Sequence, residues 1–415
     1  MKIKSRKFSV PNIVSYLLIG ILVLDCFSLY YKIVGYKIFQ IACIGIVLCL
    51  ILFDLLQGKR ISKSAIYFIT YYIIVYTILL FISDYAYLGF ITGCMIPIIL
   101  FTVLLSMNNN INYSVTILSI FSDVISVISC ISLFFYLTGS IYKIIEPTTL
   151  YSSSKIGWAD YDYRSYLDIY FEGQNTFFFG QTILRNIGIF LEAPVFAYVI
   201  ITALYIEMFM RRQIRKKRII ILIAAVLSTY STVGIALCVI LIVLFVFKKT
   251  RNKNVLILLA PIFIIIALYI VISVVGDKVA VGNDSGTARI DDFVACFKCF
   301  FDNPIGGVGH NQVRAIDPYR AASRQNGTAG MSAGIPFVLA NGGIVYGSIY
   351  ILPLVIALYR LSKKTLNIEQ IGFITLQFIL LTEIVVEYTL LGQFFLVMSW
   401  LWALDYNNRA DVQYI

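Results

Sequence analysis

Residues 219–247 read IIILIAAVLSTYSTVGIALCVILIVLFVF, and the number of times this stretch crosses a membrane sets the sidedness of the rest of the chain. About 20 apolar residues in a helix traverse a bilayer core, so the stretch is long for one crossing and short for two. Its flanks decide the matter. RRQIRKKR (211–218) precedes it and KKTRNK (248–253) follows it. Short basic loops face the cytoplasm, so both flanks lie on that side and the chain crosses an even number of times. The polar STYST (228–232) is then the turn, at or just inside the outer face.

With that choice every basic cluster falls inside: Lys2, Lys4, Arg6 and Lys7; Lys59, Arg60 and Lys63; Arg360, Lys363 and Lys364. Apolar runs predict spans near 13–31, 36–56, 65–83, 86–106, 113–138, 186–210, 219–231, 233–247, 255–275, 334–358, 371–387 and 389–404, about twelve in all. The chain has 415 residues, 60% hydrophobic and only 13% charged, against about a quarter charged in a soluble domain. The expectation is an all-α polytopic membrane protein, one integral-membrane domain over 1–415, with both termini cytoplasmic. The basic start and the long apolar run after it, with no small-residue cleavage site, read as an uncleaved first span. Two long loops fall outside: loop A over 139–185 and loop B over 276–333.

The net charge of +11 reflects this topology and does not indicate a nucleic-acid partner. Cys26, Cys43, Cys49, Cys94, Cys130 and Cys238 sit in apolar runs as packing residues. Cys296 and Cys299 form a C-x-x-C without a second pair, so no metal site is expected. The abundance of Ile, Phe, Tyr, Asn and Lys is that of an AT-rich bacterial gene.

Loop B holds the chain's single histidine, in DNPIGGVGHN (302–311). GVGHNQ lacks the last glycine of a dinucleotide fingerprint, and no Lys-Ser/Thr completes a Walker loop. A tight turn is expected, with His310 facing water or contacting sugar. Before it, TARIDDFVACFKCFF (287–301) has helical periodicity. Ile290, Phe293, Val294, Phe297 and Phe301 share one face, and Arg289, Asp292 and Cys296 lie on another. Such a helix lies at the membrane surface or packs on the bundle. Arg289, near its N-terminus, either receives an anion or pairs with Asp292 three residues on. Arg185 opens RNIGIFLEAPVF (185–196), which places Glu192 about two turns into a span. An ionisable group there lines a polar cavity or bonds a neighbouring helix. Glu383 and Glu387, one turn apart near the outer end of another span, offer the same choice. Asp25 and Asp123 have no motif around them and read as structural. Arg314, Tyr319, Arg320 and Arg324, in RAIDPYRAASR, are further loop B candidates for ligand contact or for a solvated loop.

In order, these stretches resemble the O-antigen polymerase/ligase superfamily, which comprises Wzy-type polymerases and lipopolysaccharide O-antigen ligases. RNIGIFLEAPVFAYVIITALY is similar to the family's R-x-x-G-x-F-x-E-x-P entry into a helix. ILIAAVLSTYSTVGIALCVILIVLF resembles its short helical pair with a Ser/Thr-rich turn. TARIDDFVACFKCFFDNPIGGVGHN resembles its arginine-led helix, and GIPFVLANGGIVYGSIYILPLVIALY its closing helix. The likeness covers roughly 185–360. Ligases usually carry a His-Asn pair before the closing helix. The corresponding GTAGMSAGIPF (327–337) has no histidine, which favours the polymerase.

The resemblance implies a GT-C-like glycosyltransferase of the bacterial cytoplasmic (inner) membrane, without cofactor or metal. It would move a growing glycan from undecaprenyl diphosphate to the next lipid-linked repeat unit at the outer leaflet, for O-antigen, capsule or exopolysaccharide. Arg185, Arg289 and Glu192 would be catalytic. Arg314, Tyr319, Arg320, Arg324, His310 and Asn311 would contact substrate. Membrane lipid, a flippase and a chain-length regulator would be partners. The alternatives are a ligase of the same superfamily and a lipid-linked oligosaccharide flippase. About twelve spans suit a transporter, but the two long loops break the related halves that transporters show.

Overall fold

The structure, a computed structural model, describes residues 10–82, 87–107, 111–158, 161–178, 181–211, 213–249, 284–310, 312–325, 330–363 and 365–404. The span expected near 255–275 and the candidate Asn311 lie outside these residues. The long helices are α1 (Val10–Asp25), α2 (Tyr36–Leu56), α3 (Lys63–Ile82), α4 (Ile96–Met107), α5 (Ile111–Phe135), α6 (Ala193–Tyr205), α7 (Lys216–Ser228), α8 (Thr232–Lys249), α9 (Asp284–Asp302), α10 (Gly334–Ser362), α11 (Ile368–Glu383) and α12 (Leu390–Leu404). Among the described residues, six helical stretches are long and apolar enough to cross a membrane: Tyr31–Leu56, Lys63–Ile82, Tyr113–Ile141, Ala193–Met210, Thr232–Lys249 and Gly334–Ser362. Shorter apolar helices cover Ile13–Asp25, Ile91–Met107 and Leu390–Leu404. The protein is a helical, membrane-embedded bundle.

Two helices form its centre. Every residue of α6 is buried, as is α12 from Leu390 to Ala403. A helix that is apolar on all sides must be surrounded by other helices. Accordingly α5, α7, α8 and α11 pack on α6, while α1, α3, α4, α10 and α11 pack on α12. The stretch 219–247 folds as the expected helical pair: α7 ends at Ser228, Tyr230 takes a left-handed φ of 49°, and α8 starts at Thr232.

Three expectations are corrected. First, the chain is not purely helical. Loop A carries an antiparallel three-stranded sheet of β1 (Thr149–Tyr151), β2 (Tyr163–Tyr166) and β3 (Tyr170–Glu172), and a hairpin of β4 (Asn175–Phe178) with β5 (Gln181–Leu184). The sheet packs through Tyr163 and Phe171 on Leu29, Ile187 and Leu191. Second, the span expected from 186 becomes helical only at Ala193. Asn186 donates to Ser132 Oγ (3.2 Å) and Ser228 Oγ (2.9 Å), and its own Oδ1 accepts from the Gly188 amide (3.0 Å). Gly188 then turns the chain at φ 59°. Glu192 therefore precedes the first helical residue, extended at φ −143°, ψ 147°, and is not two turns inside. Third, α11 stops at Glu383. Glu387 lies in the non-helical segment before α12, so the two acids do not share a helix.

The basic run after α6 is anchored as well as exposed. Asp123 on α5 pairs with Arg211, Arg215 and Arg218, and fully buried Glu207 pairs with Arg211 at 2.8 Å and accepts from Ser122 Oγ at 2.6 Å. Asp123 is structural, as its sequence setting implies, and it serves as the hub of this cluster. Asp25 accepts the Leu390 amide at 2.7 Å, fixing the start of α12 against the end of α1.

Candidate functional site

Arg185 follows β5 directly, and its position is built from backbone. Its amide donates to the Gln174 carbonyl (2.9 Å), and its Nε donates to the Thr229 carbonyl (2.8 Å) in the α7–α8 turn. The side chain is buried. Burial, and after it the Arg289 charge, lower its pKa to about 10, with Glu192 and Tyr161 opposing both. It stays protonated at neutral pH. Arg185 and Arg289 are thus electrostatic neighbours although far apart in sequence. Two like charges held together without full neutralisation favour an anion between them.

Arg289 lies in the first turns of α9. It does not take Asp292 as its partner. Its Nη1 lies 3.4 Å from Glu383 Oε2 at the end of α11, and both side chains are about a third exposed. Asp292 is satisfied elsewhere: Ser332 donates to it through its amide (3.0 Å) and Oγ (2.7 Å), and Arg320 and Arg324 pair with it at 3.4 and 3.0 Å. Beside Arg289 and Glu383 is a small cleft, whose walls include Tyr198 on α6, Ser231 in the α7–α8 turn and Gly234 on α8. The cleft has apolar walls and a charged mouth.

Helix α9 reaches this place by its small face. Ala295, Cys296 and Cys299 are buried against Phe337 and Ala340 of α10. The apolar face lies outward instead: Ile290 is 64%, Val294 44% and Phe301 71% exposed. Both C-x-x-C thiols belong to this packing. No group of three or more His, Cys, Asp or Glu able to hold a metal occurs among the described residues.

The glycine loop docks on the other end of the same interface. Gly343 breaks α10 with φ 58°, and the loop enters that break. The Gly307, Val308 and Gly309 amides donate to Asn303 (3.0 Å), Ala340 (3.0 Å) and Asn341 (2.8 Å), while Ile344 donates back to Pro304 (2.8 Å). A Cβ at Gly307 would collide with the Asn341 carbonyl carbon. These amides are committed to protein carbonyls, so the loop clamps α9 to α10 and does not cradle phosphate.

The other candidates separate by location. His310 does not line the cleft: its half-buried ring lies edge-on to Phe90 (4.7 Å) and Tyr388 (4.8 Å), and burial lowers its pKa to about 4. The Arg320 side chain is fully buried, pairing with Asp317 at 2.8 Å as well as Asp292. Arg324 pairs with Asp291 at 2.8 Å and donates to the Ala288 carbonyl at 2.7 Å. Both arginines staple loop B to α9. Tyr319 donates to Asp302 at 2.8 Å, and Arg314 is exposed. Glu192 accepts the Trp158 indole N–H at 2.8 Å. Sequence reasoning singled out neither Trp158 nor the Thr229 carbonyl. Trp158 carries no local signal, and the carbonyl is a feature of the turn's geometry alone. No protein-family model, curated protein or solved structure matches this chain.

Proposed function

We propose that the protein is a membrane glycosyltransferase that polymerises lipid-linked repeat units, moving the growing glycan from undecaprenyl diphosphate to the next unit. The observation that supports this best is a pair of arginines drawn together from two long loops: Arg289 lines the cleft, and buried Arg185 stands near enough for the two charges to act on each other. The diphosphate would displace Glu383 from Arg289 and lie between the two guanidinium groups. Each planar donor set can then stabilise the charge that develops as the glycosidic bond breaks. Glu192 offsets part of the repulsion at Arg185 and orients Trp158. Arg314 and Tyr319 remain open to glycan. The outward apolar ridge of α9 suits a helix lying in the outer-leaflet interface, with α7 and α11 as further spans beside the long and shorter apolar helices.

Deletion of the gene followed by glycan sizing tests the reading. The expected result is accumulation of single-repeat lipid-linked units at the outer leaflet, with no long chains. Retention of those units at the inner leaflet would instead indicate a flippase, and long chains left unattached to their final acceptor would indicate a ligase.

A further inference from the structure

Transfer of a glycan to a sugar hydroxyl also requires a proton acceptor, and the described acids near the two arginines differ sharply in what they are free to do. Glu192 holds the Trp158 indole. Asp291 and Asp292 are tied to Arg324 and Arg320. Glu387 is 1% exposed, walled off from the cleft. The imidazole of His310 is packed edge-on to Phe90 and Tyr388 and does not line the cleft. Glu383 alone among these lines the cleft, about a third exposed, and its only ion pair is with Arg289 at 3.4 Å.

We propose, on the polymerase reading above, that Glu383 is the catalytic base for the acceptor hydroxyl and that its ion pair with Arg289 holds it in reserve until the diphosphate is bound. The diphosphate competes for Arg289 and frees the carboxylate. A carboxylate relieved of its cation accepts a proton more readily. The acceptor oxygen then forms its bond to the anomeric carbon as the bond from that carbon to the diphosphate oxygen breaks. The electron pair leaves on the diphosphate, held by Arg185 and Arg289. The hydroxyl proton passes to Glu383 and from there to water, which its partial exposure permits. Activation of the base is thereby tied to occupancy by the donor, and water meeting an empty site meets an ion-paired carboxylate.

The test uses the full chain purified into nanodiscs. Glu383→Gln and Glu383→Asp are assayed with membranes from gene-deleted cells as the source of lipid-linked units, and with undecaprenyl diphosphate as the binding probe. Turnover in Glu383→Gln should fall by roughly a hundredfold or more, and that in Glu383→Asp by less. Binding of undecaprenyl diphosphate should be kept or tightened, because its competitor for Arg289 is gone. Turnover of Glu383→Gln within about threefold of an active wild type would overturn the assignment while leaving the polymerase reading intact. Loss of binding together with turnover would reduce Glu383 to a support for Arg289 and overturn it equally. A wild type that elongates nothing would refute the polymerase reading and the assignment with it.

Discussion

Arg320 and Arg314 sit six residues apart and carry the same charge, yet their environments give opposite predictions. Arg320 is enclosed by Asp292 and Asp317 and donates to the Gly330 carbonyl at 3.1 Å. Removing one member of a buried ion pair leaves the other charge uncompensated, at a cost of about 3–5 kcal/mol. Arg320→Ala should therefore lower the protein level and the thermal midpoint in detergent, whereas Arg314→Ala should leave both unchanged. Equal stability of the two variants would remove Arg320 from its stapling role. At this scale the sequence marked both arginines but could not rank them. Beyond the local Asp317, the aspartates that claim Arg320 and Arg324 are Asp292 and Asp291, some thirty residues earlier, and three-residue spacing within α9 suggested Arg289 for Asp292 instead. The ion pair to Glu383 crosses from α9 to α11, a distance that no local pattern records.

Elements were legible where charge or periodicity pinned both ends. The α7–α8 pair emerged from its basic flanks, and α9 from its 3.6-residue period. Their limits were legible only where the backbone obeyed local preference. The run 187–191 is apolar and reads as helix, but Gly188 must take a positive φ, and Asn186 supplies the bonds that hold that turn. The strand signal in loop A is short: tyrosines alternate with polar residues only over 161–164, a two-residue period that a search for spans passes over. The same tie of glycine to element makes the DNPIGGVGHN turn testable. Gly307 at φ 63° packs backbone against backbone on the α10 break. Gly307→Ala should cost about 2–4 kcal/mol, from left-handed strain and collision together, and loosen loop B. Gly45→Ala, with open space around it, is the control and should be neutral. Limited proteolysis of loop B reads the difference. Equal protection in the two variants would show that the turn does not clamp α9.

For the whole molecule, the sidedness scheme and the two-arginine site stand together, since loops A and B must reach the same face. A topology reporter fused between Ser228 and Thr232 should give an extracytoplasmic signal, because Arg185 contacts that turn through the Thr229 carbonyl. A cytoplasmic signal would place the site on the face without lipid-linked chains. The bundle itself was legible from hydropathy, since burial in lipid and burial in protein leave the same apolar mark. That equivalence also hid Glu207, a fully buried acid in an apolar run whose partners are Ser122 and Arg211. The central claim is that Arg185 and Arg289 jointly hold a diphosphate, and glycan length in Arg289→Ala cells tests it most directly. Losing one charge-assisted contact that strengthens in the transition state costs about 3 kcal/mol, a hundredfold or more in rate. Arg289→Ala should leave single repeat units and almost no long chains at an unchanged protein level, with Arg289→Lys giving intermediate lengths. Normal chain lengths in Arg289→Ala would contradict the account.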